Sequence, residues 1–342
     1  MLNYDSLFFR SPYRLQNGDY MDFTYRQSKS TELPLIIDFI NYVFSYDHYP
    51  HDFKKMVPKV YGDNPHDNAI HFIALNNSNQ IIGVVGILPI KLHIHETVLK
   101  CGFIGSVSVH PYYRSKGHMK KLMETADNYL MANSFDMGIL DGLRQRYEYY
   151  GYKKSGISMC FEITSDNIRH GLKNIPTKDF NIISINHNDD ILLNNIFDLI
   201  SQQPVYVERC RDTLLYAMNN FENTLYAVTF KNNFIGYFTA SKDNFVTEIN
   251  ARNKNYYSNI IKLWMDFSKT SYIRVTALPH QTDLLSVLQS FSENILVKYG
   301  DSFKIFNNKK SLNAIKEYNN YLPSGISKMF AVPFSLNIAD IF

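Results

Sequence analysis

The stretch Val-His-Pro-Tyr-Tyr-Arg-Ser-Lys-Gly-His-Met-Lys-Lys-Leu-Met, residues 109–123, gathers groups that could do chemistry. Arg114, Ser115, Lys116 and Gly117 sit between an apolar run ending at Val109 and a helical pattern opening at His118 and Met119. A helix start exposes backbone N–H groups and the positive end of the peptide dipole. Placed after a strand, it is a site for phosphate. Gly117 lets a ligand come close to the backbone. Arg114 and Lys116 add charge, and Ser115 adds a hydroxyl. Neither the Gly-x-x-x-x-Gly-Lys-Ser/Thr spacing nor Gly-x-Gly-x-x-Gly is present, which argues against a nucleotide P-loop and a dinucleotide fold. The plain alternative is a basic helix start that caps itself and faces solvent.

Read as Val-x-Val-x-Pro-x-Tyr-Arg-x-Lys-Gly, residues Val107, Val109, Pro111, Tyr113, Arg114, Lys116 and Gly117 resemble the acetyl-CoA signature of the GNAT acetyltransferases. The resemblance implies that Val107, Val109, Arg114, Ser115, Lys116, Gly117, His118 and Met119 hold the cosubstrate, with the turn around the CoA pyrophosphate. Met119 departs from the pattern, since the family usually has glycine or alanine there. The run Tyr-Glu-Tyr-Tyr-Gly-Tyr, 147–152, resembles the family's Tyr-x-x-x-Gly-Phe/Tyr. It implies that Tyr147 protonates the departing thiolate, a match of two groups of similar basicity. Tyr149, Tyr150 and Tyr152 read as structural.

The reaction implied is acetyl transfer from acetyl-CoA to a primary amine of a small molecule or peptide, by direct attack and without a metal. A strand N–H near Val109 would polarise the thioester carbonyl. In tandem members resembling the Eis proteins, the chain's own terminal carboxylate lies in the first active site. That likeness nominates Phe342 as the base. One alternative is a non-catalytic acyl-CoA sensor or interaction module. Another is an acyl or aminoacyl transferase using a different donor on the same doubled fold.

The elements around these residues read as mixed α/β. Leu33, Ile36, Ile37 and Ile40 make a helical stripe, with Ser30 or Thr31 as its cap. Residues 71–95 read as a hairpin. After Thr164 the order restarts, and "FIALNNSNQIIGVVG" aligns with "YAVTFKNNFIGYFTA", Gly83 on Gly236. The expected architecture is two tandem GNAT folds, each a mixed, mostly antiparallel sheet flanked by helices. Residues 1–164 would be catalytic and 165–310 a degenerate copy without a phosphate turn. Residues 311–342 would be a tail returning to the first site. In the loop after Phe44, Asp47 and Asp52 stand among Tyr46, Tyr49 and Phe53 and would suit a cationic amine. His93 and His95 share a strand face but lack a third metal ligand.

The 342 residues exceed one ordinary core and suit two domains. A composition 45% apolar and 20% charged is that of a folded globular chain. A net charge of +3 argues against nucleic acid as the main partner. Cys101, Cys160 and Cys210 are scattered and odd in number, as in a reducing compartment. No apolar run is long enough to span a membrane. The expectation is a cytoplasmic protein with no membrane partner, for which a homo-oligomer is allowed.

Overall fold

The computed structural model describes residues 9–14, 20–62 and 69–322. The first half runs β1 (Phe9–Arg14), β2 (Tyr20–Gln27), α1 (Leu33–Asp47), α2 (Phe53–Met56), α3 (Pro58–Tyr61), β3 (Ile70–Leu75), β4 (Ile81–Ile94) and β5 (Thr97–Val109). It continues with α4 (His118–Ala132), β6 (Met137–Leu140), α5 (Arg144–Tyr147), β7 (Lys153–Lys154) and β8 (Ile157–Thr164). Then come α6 (Ser165–Gly171), β9 (Phe180–Ser184), α7 (Asp190–Ser201), β10 (Val205–Val207), α8 (Leu214–Met218), β11 (Thr224–Phe230), β12 (Asn233–Ala240) and β13 (Phe245–Ala251). The second half closes with α9 (Asn255–Ser268), β14 (Tyr272–Ala277), α10 (Thr282–Gln289), β15 (Asn294–Tyr299), β16 (Ser302–Ile305) and α11 (Asn308–Tyr321).

Two mixed sheets result, as expected. The first has the order β1-β2-β3-β4-β5-β6-β16-β7, with β10 added to β4. The second has the order β15-β8-β14-β13-β12-β11-β9. All pairings are antiparallel except β5 with β6 and β13 with β14. The halves also exchange strands. β8 is inserted in the second sheet between β14 and β15, and β16 enters the first sheet between β6 and β7. The boundary read at 164 therefore falls just after a strand of the second sheet. Residues 308–321 form α11, whose Ala314 and Tyr318 are buried in the first core with Phe303 of β16.

Each sheet carries helices on both faces. In the first, α1 and α3 bury Ile36, Ile40, Val60 and Tyr61 on one face, and α4 buries Leu122, Met123, Ala126 and Leu130 on the other. In the second, α9 and α10 cover one face and α7 and α8 the other. The cap expected at Ser30 or Thr31 is not made. A 3₁₀ turn, Ser30–Glu32, precedes α1, and the Glu32 carboxylate accepts from the Lys29 N–H (2.7 Å). Arg26 holds that carboxylate by two hydrogen bonds of 2.8 and 2.6 Å. Pro34, near the start of α1, has no N–H to be capped.

Candidate active site

The site begins with a gap between two strands. β5 and β6 run parallel only from Cys101↔Met137 to Phe103↔Ile139. β5 then continues to Val109 with no strand on that side among the described residues. Its N–H and C=O groups on that edge can take a peptide-like ligand, as any open strand edge can. The pairing with β4 slips between Val84 and Gly86, so Ser106 and Val107 form a bulge, with Ser106 at φ 53°. Bulges bend a strand and re-aim its groups. Val109 still pairs with Gly83. A Cβ at position 83 would stand 2.8 Å from Leu122, so glycine there lets α4 close on the sheet.

The gap ends at the basic turn. Ser115 and Gly117 both have positive φ, 62° and 81°. Such a turn curls backbone N–H groups toward one point, a concavity suited to anions. Gly117 opens α4 without a side-chain cap, and Lys121 is the first N–H to bond back, to the Gly117 carbonyl (3.1 Å). Met119 and Lys120, in the first turn, present their N–H groups at the helix mouth. The Met119 side chain packs against the core beneath α4. Lys116 holds its ammonium 5.2 Å from the Tyr113 ring centre.

Two side chains of this turn do other work. The Arg114 guanidinium grips Asp47 at the end of α1 with hydrogen bonds of 2.9 and 2.6 Å, and its Nε donates to the Val109 carbonyl (3.2 Å). Arg114 thus ties the turn to α1, while Asp47 is held below the usual carboxylate range by that hydrogen bonding. His118 is buried, its Nδ1 2.7 Å from the Tyr25 hydroxyl. Burial pushes its pKa down. The imidazole faces inward, and only the backbone of residue 118 belongs to the turn.

Tyr147 ends α5 and is buried beside Met123 and Leu140. Its ring lies against Gly142, where a Cβ would stand 2.3 Å from the ring edge. The second residue past β6 is therefore held to glycine, and the phenol is fixed near the end of that strand. Burial raises the Tyr147 pKa, and Arg146 partly opposes the rise. The following loop is pinned from two sides. Tyr152 donates to Asp127 of α4 (2.7 Å), and Lys304 of β16 reaches Asp127 (2.6 Å) and the Tyr150 carbonyl (2.8 Å). Tyr152 is core, whereas Tyr149 is exposed.

The acidic loop is committed elsewhere. Asp47 holds Arg114, and Asp52 caps α2 and pairs with Lys55 (3.0 Å). Tyr46 and Tyr49 are exposed, and Phe53 is buried. The pairings of Asp47 and of Lys304 span 67 and 177 positions, beyond any local signal. His93 lies 3.0 Å from Glu208 and stacks on Tyr206 at the β4–β10 seam. Among the described residues no cluster of His, Cys, Asp or Glu could hold a metal ion. Among them also, no helix is long and apolar enough to cross a membrane. Phe342 lies outside the described residues.

The splayed parallel pair, the bulge and the glycine turn at a helix mouth all fall within one stretch of the first half. Residues 24–156 match the model of the acetyltransferase (GNAT) domain. The chain as a whole is similar to several solved structures. One is a conserved protein of Enterococcus faecalis V583 described as a probable N-acyltransferase: TM-score 0.67, 14% identity, covering 86% of this chain and 75% of that one. Another is a GCN5-related N-acetyltransferase from Kribbella flavida: TM-score 0.62, 12% identity, 86% of this chain and 74% of that one. Eis1 from Mycobacterium abscessus is similar at TM-score 0.59 and 12% identity, over 85% of this chain and 76% of that one. No curated protein sequence matches the chain significantly.

Proposed function

We propose that the first half, residues 1–164, transfers an acetyl group from acetyl-CoA to a primary amine of a small molecule or peptide. The observation that carries this reading is the turn at Ser115–Gly117, with two left-handed residues and an uncapped helix mouth at the end of an open strand edge. The pyrophosphate would lie on the N–H groups of residues 117–120, with Lys116 beside it. The pantetheine amides would lie along β5 past Phe103, near Val107 and Val109.

In the reaction, the neutral amine nitrogen attacks the thioester carbonyl carbon. The oxygen takes the negative charge and is met by an N–H of the β5 bulge region. The C–S bond then breaks, and Tyr147 gives its proton to the thiolate. A buried phenol with a raised pKa keeps its proton at neutral pH, as an acid must. The Phe342 carboxylate, at the end of the 311–342 segment, takes the amine proton. The second half, residues 165–310, shapes the cleft and pins the Tyr147 loop through its last strand.

The test is thiol release from acetyl-CoA against a panel of amines, with Tyr147→Phe beside the wild type. Turnover with some amine, lowered on the order of 100-fold in the variant, is expected. CoA binding without turnover for any amine would instead mark an acyl-CoA sensor. Absence of CoA binding would remove the reading altogether. Removing Ile341 and Phe342 should cut turnover and spare CoA affinity; unchanged turnover would eliminate Phe342 as base.

A further inference from the structure

β15 is the outermost strand of the second sheet, and all six of its residues are exposed. They include Ile295, Leu296 (51%), Val297 and Tyr299 (69%). One edge of β15 bonds to β8, and among the described residues no strand lies on the other. Such an edge is a template for another strand. Proteins usually guard it with charge, proline, a bulge or a cover. Here Lys298 is the lone guard within the strand. The opposite edge of the same sheet, β9, is shorter and has Phe180, Ile182 and Ile183 partly buried against the cores.

We propose that a second copy of this chain covers β15, by antiparallel β15–β15 pairing about a two-fold axis through Leu296. The two seven-stranded sheets would join into one continuous sheet. The segment is self-complementary in type. Asn294, Ile295, Leu296, Val297 and Lys298 read polar, β-branched, leucine, β-branched, polar in either direction. A two-fold axis normal to the sheet keeps each residue on its own face. Leu296 then meets Leu296 of the second copy, Ile295 meets Val297, and Lys298 meets Asn294 rather than another ammonium. Moving the axis one residue toward either end sets Leu296 against Lys298 or against Asn294. Cross-strand pairs of this kind fix register.

The polar residues of the strand fit the same arrangement. Asn294 pairs with Glu162 of β8, and both lie on the face that carries Lys298. Lys298 of the second copy therefore sits beside Asn294 in a row that continues through Glu162 to Arg274 of β14. The two-fold makes this contact twice, as an isologous interface requires.

Sedimentation velocity of the full chain at rising concentration should show a monomer–dimer equilibrium. Leu296→Asp places two carboxylates face to face on the axis and should weaken association about tenfold or more. Because Leu296 is exposed, its unfolding midpoint should hardly move. A second experiment does not depend on that variant. In a Cys160→Ala, Cys210→Ser background, which removes the thiol opposite position 296 in β8, Leu296→Cys should give a disulfide dimer with diamide, which takes up the two electrons as the two sulfurs join. Ile191→Cys, exposed on α7, should not. A chain that stays monomeric at every concentration would overturn the proposal and leave β15 to another occupant, such as residues 323–342 or a different protein. A dimer indifferent to Leu296→Asp, with no link through position 296, would overturn it too.

Discussion

The two halves build the same gap and put different chemistry in it. In the first, β5 leaves β6 after Phe103; in the second, β13 leaves β14 after Val246. Gly83 pairs with Val109, and Gly236 with Ala251. Each glycine makes room for an apolar side chain of the helix that follows, Leu122 or Ile260. Three residues before the end of each strand stand Ser106 in one and Glu248 in the other. Ser106 is small and bonded to the Tyr61 hydroxyl (2.7 Å). Glu248 is buried in an ion pair with Arg209 (2.8 Å) and accepts from Tyr237, whose oxygen accepts from Asn250 (2.7 Å).

The helix starts diverge as well. No residue from 245 to 268 has positive φ. Asn253 fills the mouth of α9, its side chain accepting from the Asn255 N–H (3.0 Å) and its carbonyl from the Tyr256 N–H (3.0 Å). A turn that satisfies its own donors has nothing left for a phosphate. The same strands and helix thus end in an uncapped glycine turn in one half and in a self-satisfied turn in the other.

Four changes would break or sharpen this contrast. Arg209→Leu strands the Glu248 carboxylate in the core of the second half and should cost roughly 3–5 kcal/mol, seen as a lower thermal midpoint. If that variant lost little stability, the second gap would not be held by its ion pair. Gly117→Val forces a β-branched residue toward φ 81°. CoA affinity by calorimetry should fall on the order of 100-fold, about 3 kcal/mol; full affinity would mean the first turn is not the phosphate site. Asn253→Ala removes the self-cap of the second turn. About 1 kcal/mol of stability should go, with CoA affinity unchanged. New CoA binding by the second half would show that the cap alone had closed it.

The smallest effect contrasts the outer pair Arg26–Glu32 with the buried Arg209–Glu248. Hydrogen bonding from Arg26 lowers the Glu32 pKa to about 2. A lowered carboxylate adds stability above its unfolded pKa and loses it as pH falls through the folded value. The advantage of wild type over Glu32→Gln in urea melts should therefore shrink from about pH 4.5 down to about pH 2. An advantage constant over that range would show that the charge of Glu32 contributes nothing.

Much of this molecule was written locally. Apolar runs around turn residues placed the β3–β4 hairpin and its counterpart β11–β12, and the stripe from Leu33 to Ile40 placed α1, because these patterns depend on neighbours along the chain. The basic turn and the Tyr147 run were legible for the same reason: Gly117 and the residues around it form their concavity from consecutive backbone angles. The equivalence of Gly83 and Gly236 could also be read from repeated order. Pairings across long separations could not. Asp47 looked like an open acid until the fold set it on Arg114, and His118 looked like part of the turn until its ring was buried on Tyr25. The exchange of β8 and β16 between sheets leaves no local mark, since a strand has the same sequence pattern whichever sheet it joins. Sequence alone determined which elements form and where the glycine turn before α4 lies. Tertiary structure alone decided which strands each sheet received and which charged side chains were already spent on one another.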